Sequence, residues 1–110
     1  MEGVKGHLDL LLLASLKAGS GHGYALIERL RETSGGAFAF PEGTIYPALH
    51  RLERAGLIVG SCSTVDGRRR RTYRLTEQGH RKLVGERANW REFATAVTAL
   101  LDGKPCPATN

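Results

Sequence analysis

Between Glu42 and Ile58 the chain reads EGTIYPALHRLERAGLI, a run that leaves few folds open. As a helix starting near Gly43 or Thr44, it places Ile45, Leu49 and Leu52 on one face, with Ala48 beside them. Thr44, Pro47, Arg51 and Arg54 fall on the opposite face, flanked by His50. Pro47 is expected in the first turn, where a missing N–H costs little. Gly56 can take the left-handed conformation that closes a helix. Taken alone, the stretch favours an ordinary amphipathic helix with a solvated outer face. The residues beyond Ile58 reverse that preference.

Leu57 to Thr64 alternates as a strand does, and Val65-Asp66-Gly67-Arg68 supplies a tight turn through Asp-Gly. Arg69 to Leu75 returns as the second strand, with Tyr73 and Leu75 facing the core. Five arginines lie between Arg68 and Arg74. A solvated edge that discourages sheet aggregation would explain some of them. Directly after a helix with a basic outer face, a wing that grips a duplex backbone explains them better. An α-helix fits the major groove of B-DNA, where arginine is the commonest reader of guanine. Flanking arginines and hydroxyls bind phosphate and fix the register.

Upstream, a first helix is expected from about His7 to Lys17. Leu8, Leu11, Leu12 and Leu16 mark one face, and Leu10 and Leu13 widen the stripe almost all round. Such a helix is buried on several sides, and part of it, including Leu8 and Leu12, is expected at a second subunit. A second helix is expected from about His22 to Ser34, with Tyr24, Ile27 and Leu30 along one edge. Glu28, Arg29 and Glu32 are read as facing water. Phe38 and Phe40 are read as lying over the core.

Thr76 suits the N-cap of a last helix from Glu77 to Leu101. Leu83, Trp90 and Val97 are seven apart, and Phe93, Leu100 and Leu101 extend the same face. This is a seam of coiled-coil type over roughly 35 Å. Packing on the domain itself is the alternative, but the preceding elements already bury one another, so a dimer helix is favoured.

The 110 residues suit one modest core. Sixteen Lys+Arg against eleven Asp+Glu give a net charge of +5, which favours an anionic partner, nucleic acid before membrane. No segment is long and apolar enough to span a membrane, and the N-terminus lacks the pattern of a signal peptide. Cys62 and Cys106 form no CxxC pair or disulfide framework, so a cytoplasmic setting is expected. Cys62, on a strand expected to face the core, is read as inert. The four histidines are spread over different elements, and a metal site is not expected, although His7 or His22 could contribute to one at an interface. No catalytic constellation, Walker loop or dinucleotide fingerprint is present. No enzyme activity and no cofactor are expected. His22-Gly23 is read as a helix start, and Glu53 as a solvent-face charge.

HGYAL at His22–Leu26, GTIYPAL at Gly43–Leu49, RLERAGLI at Arg51–Ile58, DGRRRRTYRLT at Asp66–Thr76 and EQGHRKL at Glu77–Leu83 together resemble the PadR family of bacterial transcriptional regulators. The resemblance runs from about His7 to Leu83 in one unbroken order. It implies a winged helix-turn-helix dimer, usually a repressor. It maps a contact to the DNA backbone onto Tyr24, and a recognition helix onto Thr44, Tyr46, Pro47, His50 and Arg51. It maps a wing onto Gly67, Arg68, Arg69, Arg70 and Arg71. After Leu83 there is room for one long helix only, as in the family's short-chain members. In some of these, aromatic molecules bind at the dimer interface beside a tryptophan, for which Trp90 is the nearest match. Trp90 as plain dimer core is an equal reading. Tyr46 is likewise open: its ring can fill the core edge while its hydroxyl reaches a phosphate.

The expectation is therefore a mainly α fold with a small β-hairpin, a winged helix-turn-helix of order α-α-α-β-β-α. Residues 1–76 would form the DNA-binding domain, 77–101 the dimerisation helix and 102–110 a flexible tail. The homodimer would close through the N- and C-terminal helices, with Leu8, Leu12, Leu83, Trp90, Phe93, Val97 and Leu101 at the contact. It would bind two-fold symmetric operator DNA as a repressor relieved by a small-molecule or metal effector. A winged-helix module binding protein rather than DNA is the second reading, and the arginine-rich hairpin argues against it.

Overall fold

The computed structural model describes residues 7–103. Helix α1 spans Leu8–Ala18, strand β1 Gly21–His22, helix α2 Gly23–Thr33 and helix α3 Glu42–Arg54. Strands β2, Ile58–Val65, and β3, Arg68–Leu75, lead into helix α4, Glu77–Asp102. The expected order of helices and hairpin is present, with one addition. The two residues of β1 pair antiparallel with β3, Gly21 opposite Tyr73 and His22 opposite Thr72, so the hairpin becomes a three-stranded sheet of order β1-β3-β2. Of the expected tail, 104–110 lies outside the described residues.

Leucines fill one core. Leu12, Leu13, Leu26 and Leu49 have no exposed surface, and Ile45, Leu52, Ile58 and Tyr73 close the space between α3 and the sheet. Burial of each such aliphatic side chain contributes about 1.5–3 kcal/mol. Phe40, Tyr46 and Leu57 cover its edge. Three residues expected at a dimer contact, Leu8, Leu12 and Leu83, instead belong to this core, each at most 6% exposed. Helix α4 packs on α1, which draws Leu83 inward.

The helix ends have specific partners. The Thr76 hydroxyl accepts the Gly79 N–H at 3.0 Å and donates to the Gly56 carbonyl at 2.6 Å, tying the start of α4 to the end of α3. After α3, Gly56 is left-handed (φ 78°). Its N–H reaches the Glu53 carbonyl, and the Leu57 N–H reaches that of Leu52, a Schellman closure. Arg29 does not face water. Its guanidinium donates to the carbonyls of Ser15, Gly19 and Ser20 at 2.7, 2.7 and 3.2 Å, capping the end of α1.

Helix α3 begins at Glu42, after an extended Pro41 whose carbonyl accepts the Thr44 and Ile45 N–H groups. This earlier start corrects the placement of Pro47, which lies in the second turn rather than the first. The Gly43 carbonyl loses its i+4 donor there, at an exposed position where water can replace it.

Candidate nucleic-acid interface

Helix α3 turns Ile45, Ala48, Leu49 and Leu52 into the core, which leaves Pro47, His50, Arg51 and Arg54 exposed and Thr44 half-buried. Glu42 in its first turn and the two arginines in its last suit the helix dipole. Arg51 does not stand alone. Its guanidinium forms an ion pair with Asp9 of α1. Arg54 forms no ion pair among the described residues.

The approach to α3 is set by His22 and Gly23. The His22 Nδ1 accepts the Ala25 N–H at 3.2 Å and caps α2, as expected of a helix start. Burial, then the nearby charge of Arg70, lowers the His22 pKa below the ordinary histidine value, which keeps the ring neutral as the cap requires. Gly23 is buried against the Tyr46 ring, and a Cβ there would stand 2.4 Å from Cε1. The ring therefore seats on α2, while the neighbouring Tyr24 is 50% exposed.

The wing is shaped by its turn. Asp66 (φ 52°) and Gly67 (φ 77°) are both left-handed, as a two-residue type I′ hairpin demands. The register runs from Ile58 opposite Leu75 to Val65 opposite Arg68. Alternation places Arg69, Arg71, Tyr73 and Leu75 on one face and Arg68, Arg70, Thr72 and Arg74 on the other. Arg68 and Arg69 are exposed and Arg70 half-buried, and none of the three forms an ion pair among the described residues.

Arg71 differs from its neighbours. Its guanidinium pairs with Glu53 of α3 and lies 6.0 Å from the centre of the Tyr73 ring. The same Glu53 oxygen accepts the Gly60 N–H at 3.3 Å. Glu53 is thus no solvent-face charge, and its hydrogen bond from Arg71 lowers its pKa below the ordinary carboxylate value. An i,i+18 partner across a hairpin leaves no periodic trace in the chain, so only the pairing of strands reveals it.

Of the residues expected at a subunit contact, Trp90, Phe93 and Leu101 are exposed (43%, 57% and 79%) and Val97 is half-buried. Trp90 meets the His7 ring edge-on at 5.1 Å and Phe93 at 6.0 Å. A groove of about 720 Å³ between α1 and α4 is lined by Leu10, Leu11, Ala14, Val84 and Ala88, with Arg91 among its polar members, and Trp90 is not part of its lining. His7 and His22 are engaged separately, and no group of three metal-ligating side chains occurs among the described residues. Cys62 is exposed, not directed into the core. Among the described residues no helix is long and apolar enough to cross a membrane.

A basic helix seated by its apolar face, followed by a cationic two-stranded wing, defines a winged helix-turn-helix protein. The model of the transcriptional regulator PadR-like family matches residues 12–84, and the chain belongs to that family. It is accordingly a transcriptional regulator, a DNA-binding protein and not an enzyme. The transcriptional regulator Rv3488 of Mycobacterium tuberculosis is 43% identical over 67 residues, which are 61% of this chain and 63% of that protein. The chain thus aligns with somewhat less than two thirds of that relative's length. A PadR-like transcriptional regulator from Bacillus cereus superposes with a TM-score of 0.83 at 28% identity, over 94% of this chain and 100% of that one. A PadR family regulator from Clostridium difficile gives 0.77 at 31% identity, over 86% and 98%.

Proposed function

We propose that two copies of this chain bind a two-fold symmetric operator and repress transcription, with relief by a small-molecule effector. Helix α3 enters the major groove with Thr44, Pro47, His50, Arg51 and Arg54. Tyr24, Tyr46 and the wing cations Arg68, Arg69 and Arg70 meet the flanking backbone. The observation that carries this reading is the cluster of arginines without an ion pair among the described residues, on the wing and at the end of α3, beside an α3 face that the core leaves open. Arginines concentrated and unpaired on one hairpin make a positive surface that a polyanion complements. The exposed Trp90, Phe93 and Leu101 supply the surface for a second copy. The two recognition helices then stand about one DNA turn apart. An effector that binds between α1 and α4 acts by favouring one angle between the subunits.

Mapping of bound sites across the genome supplies the operator. Replacing Arg68 and Arg69 by Ala is expected to weaken binding to every duplex. Each lost phosphate contact lowers the slope of log K against log salt by about 0.9. Replacing His50 and Arg51 by Ala is expected to cost about 1–3 kcal/mol per base contact and to relax sequence preference. A strictly monomeric chain, or an unaltered salt slope and sequence preference in these variants, overturns the reading.

A further inference from the structure

Arg71 sits in the run of wing arginines, yet its surroundings set it apart. Glu53 holds its guanidinium from the recognition helix, Tyr73 supports it from below, and Gly60 opens the space it occupies. Gly60 lies opposite Tyr73 and diagonal to Arg71, and a Cβ on it would stand 2.6 Å from the Arg71 Nε, so a side chain there would displace the guanidinium from its place against α3. The Glu53 carboxylate also holds the Gly60 N–H itself. One carboxylate therefore grips both strands of the wing, β2 through its backbone and β3 through Arg71.

We infer that Glu53 and Arg71 are positioning residues, a tie that fixes the pitch of the wing on the recognition helix, and that Arg71 is not one of the phosphate contacts. The assignment rests on the DNA-binding reading above and divides the wing cations by role. Arg68, Arg69 and Arg70 are free to neutralise phosphate, whereas Arg71 commits its charge to Glu53. The geometry reverses a simple electrostatic expectation. A carboxylate near a DNA-binding face repels phosphate, so its removal alone should strengthen binding. If the carboxylate holds the wing in place, its removal weakens binding.

The test measures affinity for the mapped operator over a series of KCl concentrations. The set comprises the native chain, Glu53→Gln, Arg71→Met, the pair together, and the charge exchange Glu53→Arg with Arg71→Glu. Arg69→Ala serves as the phosphate-contact control. The expected result is a loss of roughly two- to fivefold for either single variant, the range of an exposed ion pair, and no greater loss for the pair. The salt slope stays at the native value in all of these, while Arg69→Ala lowers it by about 0.9. The charge exchange recovers affinity.

A slope lowered by Arg71→Met as by Arg69→Ala, tighter binding by Glu53→Gln, or a further loss in the exchanged pair overturns the assignment. Hydrogen exchange at the Gly60 amide of the free protein separates this from the parent reading. If no duplex is bound, faster exchange in Glu53→Ala, which removes the acceptor, still supports the tie, and unchanged exchange refutes it.

Discussion

Gly79 stands in the first turn of α4, where helix propensity and packing make opposite predictions. Replacing a helical glycine by alanine at an open position stabilises by about 1 kcal/mol, because the unfolded chain loses freedom. A Cβ at Gly79, however, would stand 1.9 Å from the carbonyl oxygen of Leu57, with the Leu75 Cδ2 at 3.2 Å. Reaching even 3.0 Å requires a displacement of 1.1 Å (3.0 − 1.9) of backbone, not of a flexible side chain. The Leu57 oxygen is fixed by the Thr76 N–H at 3.1 Å, and the Thr76 hydroxyl caps α4 through Gly79 itself. Moving the helix away strains this cap and loosens Leu83. The expected cost is about 2–4 kcal/mol, the sum of overpacking and weakened hydrogen bonds. Gly85, further along the same helix, is the internal control. A Cβ there meets nothing within 4 Å, so Gly85→Ala is expected to gain about 1 kcal/mol. Urea denaturation followed by circular dichroism, at matched protein concentrations, reads both. If Gly79→Ala proves neutral or stabilising, the close packing of α4 on the Leu57 carbonyl is refuted.

Two further outcomes concern the helix-turn-helix entry. Arg29→Met leaves the carbonyls of Ser15, Gly19 and Ser20 without their cationic donor and is expected to cost about 1.5–3 kcal/mol in the same assay, whereas a surface arginine would cost almost nothing. His22 has a folded pKa below its unfolded one, so the unfolded chain binds the proton first as pH falls. Its contribution is complete above the unfolded value of about 6.5 and is lost as pH drops from there toward the folded value. The urea midpoint should fall over that window in the native chain and fall less in His22→Asn, which caps without titrating; identical pH profiles would refute the capping role.

The elements that carry their own period are legible in the sequence. The stripe of Ile45, Leu49 and Leu52, the Asp66-Gly67 turn and the Thr76 cap each encode their geometry within a few residues. The features that escape such a reading depend on partners far along the chain. Strand β1 has two residues and no alternation to read; it is a strand only because Thr72 and Tyr73 lie beside it. Arg29 reads as solvated because three carbonyls at the end of another helix are invisible from its own stretch. Leu83 fits a seven-residue spacing, yet the contact of α4 with α1 removes it from that seam. In the candidate site, the free wing cations can be read from local sequence. The pairing of Arg51 with Asp9 and of Arg71 with Glu53 cannot, because each joins different elements.

The third strand also bears on how such a chain tolerates change. Its two residues are held by β3, far downstream in the chain, and one of them is the cap of α2. The base of the hairpin is bonded on both flanks, so an insertion or deletion near Thr72 would disturb the start of α2 as well as the sheet. Asp66 and Gly67, at the far end, form the turn and lie outside the ladder of paired residues. A change in hairpin length is therefore expected to be tolerated best at the tip, where it leaves the joint beneath undisturbed.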